Sequence, residues 1–234
     1  VIHSEEELEC VRHAGKLCND AMHAIADRAR PDATEQDLRA AAGSAILAGA
    51  GDIDFLIIGS TPMNAPAMVF GNPRPSLREL SKGDIIIMEL AAGYRGYSAQ
   101  IGQPICLGSP PEPIQTFWDK IAKPGYELVT NCIEPGRPVS DMVEAARFFR
   151  DMGQQSRPIV THGIDFTSEG PHALIEGAKT HDCDAILKPG MVLMPEPNPI
   201  TPDGMLGMFV GHTFIVTENG RECVDDWPLE LVVV

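Results

Sequence analysis

Two glutamates stand in matching places. GDIIIMEL runs from Gly83 to Leu90 and GMVLMPEP from Gly190 to Pro197. In each, a glutamate (Glu89 or Glu196) lies six residues after the glycine, behind an apolar run. Such runs read as strands buried on both faces, and the first is expected to end at Glu89. An unpaired buried carboxylate costs several kcal/mol, a large share of a domain's net stability. Each glutamate therefore needs a partner, a path to water, or a task. Two carboxylates brought together either share a proton, which lifts one pKa, or wait for a cation. The first condition suits general acid–base chemistry; the second suits a positively charged substrate.

The elements that would bring them together repeat along the chain. Glu5 to Arg28 has helical spacing, with Leu8, Val11, Ala14, Leu17, Cys18, Ala21, Met22 and Ile25 on one side. A second helix is expected after Thr34, with Asp37 as capping partner and Gly49 as its stop. A third segment, Pro135 to Gly153, has the length of Pro31 to Gly49, and Asp37 and Asp141 each lie six residues after the proline. These segments are offset by 104 residues and the two glycine–glutamate strands by 107. An ordered series at near-constant offset marks two related halves. AAGYRGYSAQIG reads as a turn and a second strand, and TENG at 217–220 as a hairpin turn with RECV returning. NPRPS and GSPPEP read as loops. The reading is one α+β domain over residues 1–234 with internal pseudo-twofold symmetry, which sets Glu89 and Glu196 face to face across a central cleft.

Bulk properties narrow the partners. With 18 Lys and Arg against 33 Asp and Glu, the formal net charge is −15. That disfavours nucleic acid and anionic membrane surfaces, which need basic patches. No apolar stretch has the length of a membrane span, and VIHSEEELEC lacks the pattern of a signal peptide. The six cysteines contain no C-x-x-C spacing and read as free thiols in a reducing cell, so a cytoplasmic protein is expected. His3, His13, His23 and His181 read as surface or helix-face residues.

EEELECVRHAG, LSKGDIIIMELAAGYRGYSAQIGQPICLG, IEPG, THGID, LKPGMVLMPEP and GHTFIVTENG, in that order and spacing, resemble the creatinase/prolidase/methionine-aminopeptidase family over nearly the whole chain. The resemblance implies the pita-bread fold, two pseudo-twofold-related halves with helices packed on a curved mixed or antiparallel sheet. It also implies a homodimer and, in many members, a preceding N-terminal domain; a chain that starts at Val1 agrees with a trimmed piece of a longer protein. Peptidases of the family hold two metal ions with two aspartates, a histidine and two glutamates. Carried over, these positions fall on Glu89, Gln100, His162, Glu196 and Gly211. The two bridging carboxylates are the ones replaced, by Gln100 and Gly211. Hard divalent ions are held mainly by anionic oxygen, so no metal cofactor is expected beyond a single weakly held ion at His162 and Glu196. His212, next to Gly211, should point to the opposite face of its strand.

Metal-free members exist, and IIIMELAAGYRGYSA looks closer to ectoine hydrolase than to the peptidases. The resemblance thus implies His162, Glu196 and Glu89 as catalytic residues, with His162 as general acid or base. Gln100, Glu169, His172 and Phe70 are the expected substrate-binding residues, the last three replacing or neighbouring two further peptidase histidines. The favoured reading is a metal-independent hydrolase that cleaves a C–N bond of a small cationic amino-acid derivative. A metal-dependent Xaa-Pro aminopeptidase or dipeptidase acting on short peptides is one alternative. A non-catalytic relative that binds a ligand in the old cleft is the other.

Overall fold

The computed structural model describes residues 1–164, 171–174 and 184–234. Helix α1 spans Glu5–Arg28 and opens with a capping box, in which the Ser4 hydroxyl accepts from the Glu7 amide and the Glu7 carboxylate accepts from the Ser4 amide. Its buried face is the predicted one, from Leu8 to Ile25. Helix α2 spans Glu35–Ala48; Thr34 and Asp37 form its capping box and Gly49 caps its end, as the spacing predicts. The 108–113 stretch is not wholly a loop: helix α3 begins within it at Glu112 and runs to Phe117. A π-helical turn, Trp118–Ala122, joins α3 to α4, Lys123–Thr130. Helix α5, Ser140–Asp151, is the repeat counterpart of α2.

In chain order the strands are β1 (Asp52–Pro62), β2 (Asp84–Tyr94), β3 (Tyr97–Gly102), β4 (Ile105–Cys106), β5 (Gln155–Ser156), β6 (Ile159–Gly163) and β7 (Ala173–Leu174). They continue with β8 (Val192–Pro195), β9 (Pro199–Ile200), β10 (Gly211–His212), β11 (Phe214–Thr217), β12 (Gly220–Cys223) and β13 (Val232–Val233). One sheet has the order β10-β3-β2-β4-β13, with β1 also paired to β2; the other has the order β12-β11-β8-β6-β7. The antiparallel set β1-β2-β3 of the first half therefore recurs as β6-β8-β11 in the second. The β2–β3 connection is a two-residue turn at Arg95 and Gly96, both at positive φ, which matches the right-handed twist of the flanking strands. TENG makes the predicted hairpin, with Thr217 opposite Gly220.

The first strand does not stop at Glu89. It continues to Tyr94, and Glu89 lies in its middle, opposite Ile57. Alternation explains why this is tolerated. Ile86, Met88, Leu90 and Ala92 pack on the core under α1 and α2, whereas Ile85 and Ile87 face the second core, formed with the other half. Glu89 shares the parity of Ile85 and Ile87, so it points between the halves, away from the helices. Gln100 likewise alternates with Ala99 and Ile101 of the helix-side core. The halves are stitched where the Thr213 hydroxyl accepts from the Gln100 amide (2.8 Å) and donates to the Gln100 carbonyl (2.9 Å). His3 is not a surface residue: it is buried, with Nδ1 3.1 Å from the Gly190 carbonyl. The five described cysteines are all free. Among the described residues no helix is long and apolar enough to cross a membrane.

Candidate active site

A cavity of about 390 Å³ lies between the halves, a size suited to an amino-acid derivative or short peptide. Glu89, Gln100, His162, His172, Glu196 and Phe70 all line it. Six of the seven sequence-predicted site residues are thus gathered in one place; Glu169 lies outside the described residues. Each arrives on a different piece of the fold. Glu89 and Gln100 come from β2 and β3, and His162 from β6. Glu196 sits one residue past β8, held there by its amide donating to the Val160 carbonyl (2.8 Å).

The two glutamates are buried and hydrogen-bond each other. Burial is the main force on both, because it penalises the charged form. It pushes Glu89 up to about 7, against the opposing pull of Arg157 and the bond to Glu196. Burial and then the charge of Glu89 push Glu196 up to about 9. Near neutrality the pair therefore retains at least one proton. His162 Nδ1 donates to the Gly163 carbonyl (2.9 Å), which leaves the Nε2 lone pair facing Glu196 Oε1 at 3.8 Å. Burial lowers its pKa, opposed by the Gly163 bond and helped by His172, whose ring lies edge-on at 5.8 Å. The site thus pairs a neutral imidazole acceptor with a protonated carboxyl group.

Sequence reasoning missed Arg157. It lines the same cavity, its guanidinium 3.9 Å over the Phe70 ring, and Phe70 in turn packs edge-on against Phe209. The Arg157 charge is the one that offsets the two glutamates. Its position five residues before His162 was the only available signal. Asn198 was also missed. Its Nδ2 donates to the Val69 carbonyl, while its Oδ1 and Gln100 Oε1 are buried without hydrogen-bond partners. Two unmet acceptors in a cavity call for a donor-rich occupant.

The two-ion set implied by the resemblance does not fit these residues. Gly211 pairs with Gly102 and so shares the cleft face with Gln100. A Cβ placed there would lie 2.4 Å from Met194 Cε and 3.3 Å from Glu196 Cβ. Gly211 therefore supplies no ligand and Gln100 only a neutral amide oxygen, and the Met194 methyl fills the space beside Gly211. His212 faces the other side, as strand alternation predicts, and lines a different cavity.

The model of metallopeptidase family M24 matches residues 9–218. The chain belongs to this family. It is 28% identical to the probable dipeptidase PepE of Mycobacterium tuberculosis over 240 residues, covering 100% of this chain and 61% of that protein. It is 22% identical to the Xaa-Pro dipeptidase of Pyrococcus furiosus over 243 residues, covering 99% and 65%. The chain thus spans less than two thirds of the length of these M24 relatives. Among solved structures, a dipeptidase from Pyrococcus horikoshii OT3 superposes with a TM-score of 0.85 at 24% identity, covering 100% of this chain and 64% of that one. The methionine aminopeptidase of Rickettsia prowazekii gives 0.80 at 18% identity, covering 96% and 98%. These M24 neighbours share the pita-bread fold expected from the sequence.

Proposed function

We propose that this M24 chain is a hydrolase that cleaves a C–N bond of a small amino-acid-derived compound with side-chain acid–base groups in place of a bridged metal pair. The observation that carries this reading is the hydrogen-bonded Glu89–Glu196 pair in a cleft where Gln100 and Gly211 offer no bridging carboxylate. In this reading Glu196 holds the proton a leaving nitrogen requires. The His162 Nε2 lone pair takes a proton from the attacking water, and His172 borders its ring.

The same groups specify the substrate. Glu89, Gln100 Oε1 and Asn198 Oδ1 are acceptors, suited to an ammonium, amidinium or guanidinium group. Arg157 makes no ion pair or side-chain hydrogen bond among the described residues, and it suits a carboxylate at the other end. With the shared proton and Arg157 present, the cavity has little excess negative charge. The substrate is therefore best read as carrying both a cationic and an anionic end.

A second reading rests on the relatives, several of which are named dipeptidases or Xaa-Pro dipeptidases: a metal-dependent peptidase using one ion at His162 and Glu196. One experiment separates the two. Purified protein is assayed against Xaa-Pro dipeptides and cationic amino-acid amides and amidines, with and without chelator, alongside elemental analysis. Turnover that survives chelation, with fewer than two ions per chain, supports the metal-independent reading. Turnover lost to chelator and restored by a divalent ion puts the peptidase in its place. Binding without turnover across the panel leaves the non-catalytic relative.

A further inference from the structure

His212, turned away from the active site, belongs to a second cluster. Its Nδ1 lies 2.8 Å from Asp225 Oδ1, and Cys223 Sγ lies 3.5 Å from Asp225 Oδ2. One ligand atom from each of the three residues falls within 4.8 Å of the others. His212 and Cys223 border a cavity of about 460 Å³ lined also by Tyr126, Asn131, Arg221 and Trp227. Two buried donors there lack partners: the Tyr126 hydroxyl, close to the His212 backbone, Cys223 and Asp225 without completing a hydrogen bond, and Trp227 Nε1.

The hydrogen-bond inventory around His212 does not close without a cation. Gln103 is fully buried, and its Nε2 donates to the carbonyls of Pro228 (2.8 Å) and Glu230 (2.7 Å). That fixes the amide, so Oε1 is the atom 3.3 Å from His212 Nε2. An amide oxygen only accepts, so Nε2 carries hydrogen. In the neutral ring, Nδ1 then presents a lone pair to a carboxylate oxygen at 2.8 Å. Two acceptors face each other unless a positive charge lies between them, either an extra proton or a metal ion. An imidazole that donates one nitrogen to a fixed acceptor and offers the other to the site is arranged as metal-binding histidines are.

We propose that His212 Nδ1, Cys223 Sγ and Asp225 form a binding site for one zinc-type divalent ion, separate from the glutamate cleft. Nitrogen, thiolate and carboxylate are ligands such ions take in tetrahedral sites, where ligand atoms stand about 3.3–3.8 Å apart. The observed cluster needs only small side-chain shifts to reach this. The cavity beside the cluster is lined by Tyr126 and Trp227, whose unmet donors suit a water or small ligand completing the coordination. Cys223 is exposed, which provides an entry path and lets its proton leave to solvent on binding. The ion would tie β12 and the following segment to β10.

The test is titration of the apoprotein with Co²⁺ under reducing conditions, followed by Zn²⁺ competition. A near-ultraviolet thiolate-to-cobalt absorption saturating at one ion per chain, displaced by Zn²⁺, is expected. Cys223→Ser should abolish that absorption and weaken binding by about 10-fold or more, and Asp225→Asn should weaken it while keeping the absorption. Zn²⁺ should raise the melting temperature of the parent chain but not of Cys223→Ser. The double variant Glu89→Gln/Glu196→Gln should bind as the parent does. Absence of the thiolate absorption, its persistence in Cys223→Ser, or its loss in the glutamate double variant would overturn the proposal.

Discussion

Glu35 and Glu196 are both buried glutamates, and the fold treats them in opposite ways. Glu35, on the first turn of α2, accepts four hydrogen bonds: from the Ser60 amide (2.7 Å) and hydroxyl (2.8 Å), and from the Ser76 amide (2.9 Å) and hydroxyl (2.7 Å). Arg78 extends this network, donating to the Ser60 hydroxyl and to both oxygens of Asp84. Every lone pair that burial stripped of water has a fixed donor. In the cleft, Glu89 and Glu196 have mainly each other, and their pKa values rise. Burial alone therefore does not make a carboxylate reactive. What distinguishes the cleft is the shortage of fixed donors, which leaves a proton on the pair and acceptors facing a cavity.

The same Glu→Gln change should separate the two regions. The largest effect is expected in the cleft, on rate: Glu196→Gln and His162→Ala should each lower turnover of the preferred substrate by roughly 10²–10⁴-fold, with the fold intact by circular dichroism. At Glu35 the effect moves to stability. A glutamine there turns its NH₂ toward donors and leaves them unmet, so Glu35→Gln should cost about 3 kcal/mol in urea unfolding. Equal stability losses at positions 35 and 196 would erase the distinction.

The pH dependence of stability sharpens it further. The folded pair holds protons more tightly than the unfolded chain, so stability should fall as pH rises from about 4.5 through about 7 and level off above about 9. Each extra proton held in that window contributes a slope of about 1.4 kcal/mol per pH unit. The Glu89→Gln/Glu196→Gln double variant should show a flatter profile, measured by unfolding across that range. The smallest expected effect is at the rim. Phe70→Leu removes the face that Arg157 stacks on and should cost about 0.5–1 kcal/mol in substrate binding by calorimetry.

What could be read in the sequence was what local chemistry decides. Thr34 and Asp37 cap α2, TENG turns the hairpin, and the apolar spacing of α1 names its buried face. The repeat placed Glu89 opposite Glu196 because equivalent strands of two related halves meet at their axis. Other parts depend on tertiary neighbours. Glu89 was expected at a strand end because a charge breaks an apolar run, yet its alternating face opens onto a cavity and the strand passes through. The 112–130 helical stretch escaped notice because Pro113, Pro124 and Gly125 read as breakers; the prolines occupy first-turn positions on either side of a π-helical turn. Arg157 reaches the carboxylates from a short loop, which no spacing rule anticipates.

The sheet of the first half is completed by the end of the chain. β10 adds at its β3 edge, and β13 runs parallel to β4, with Val232 opposite Ile105. Both partners follow their neighbours by more than a hundred residues. During synthesis, α1, α2 and β1–β4 therefore emerge with the β3 and β4 side of their sheet uncovered, and that side waits for nearly all of the remaining chain before it closes. Pairings so distant in sequence carry a high loop-closure cost and form slowly. The nascent protein thus has a long interval in which that exposed side can pair with a neighbouring chain, and trimming the last residues would leave its β4 segment open for good.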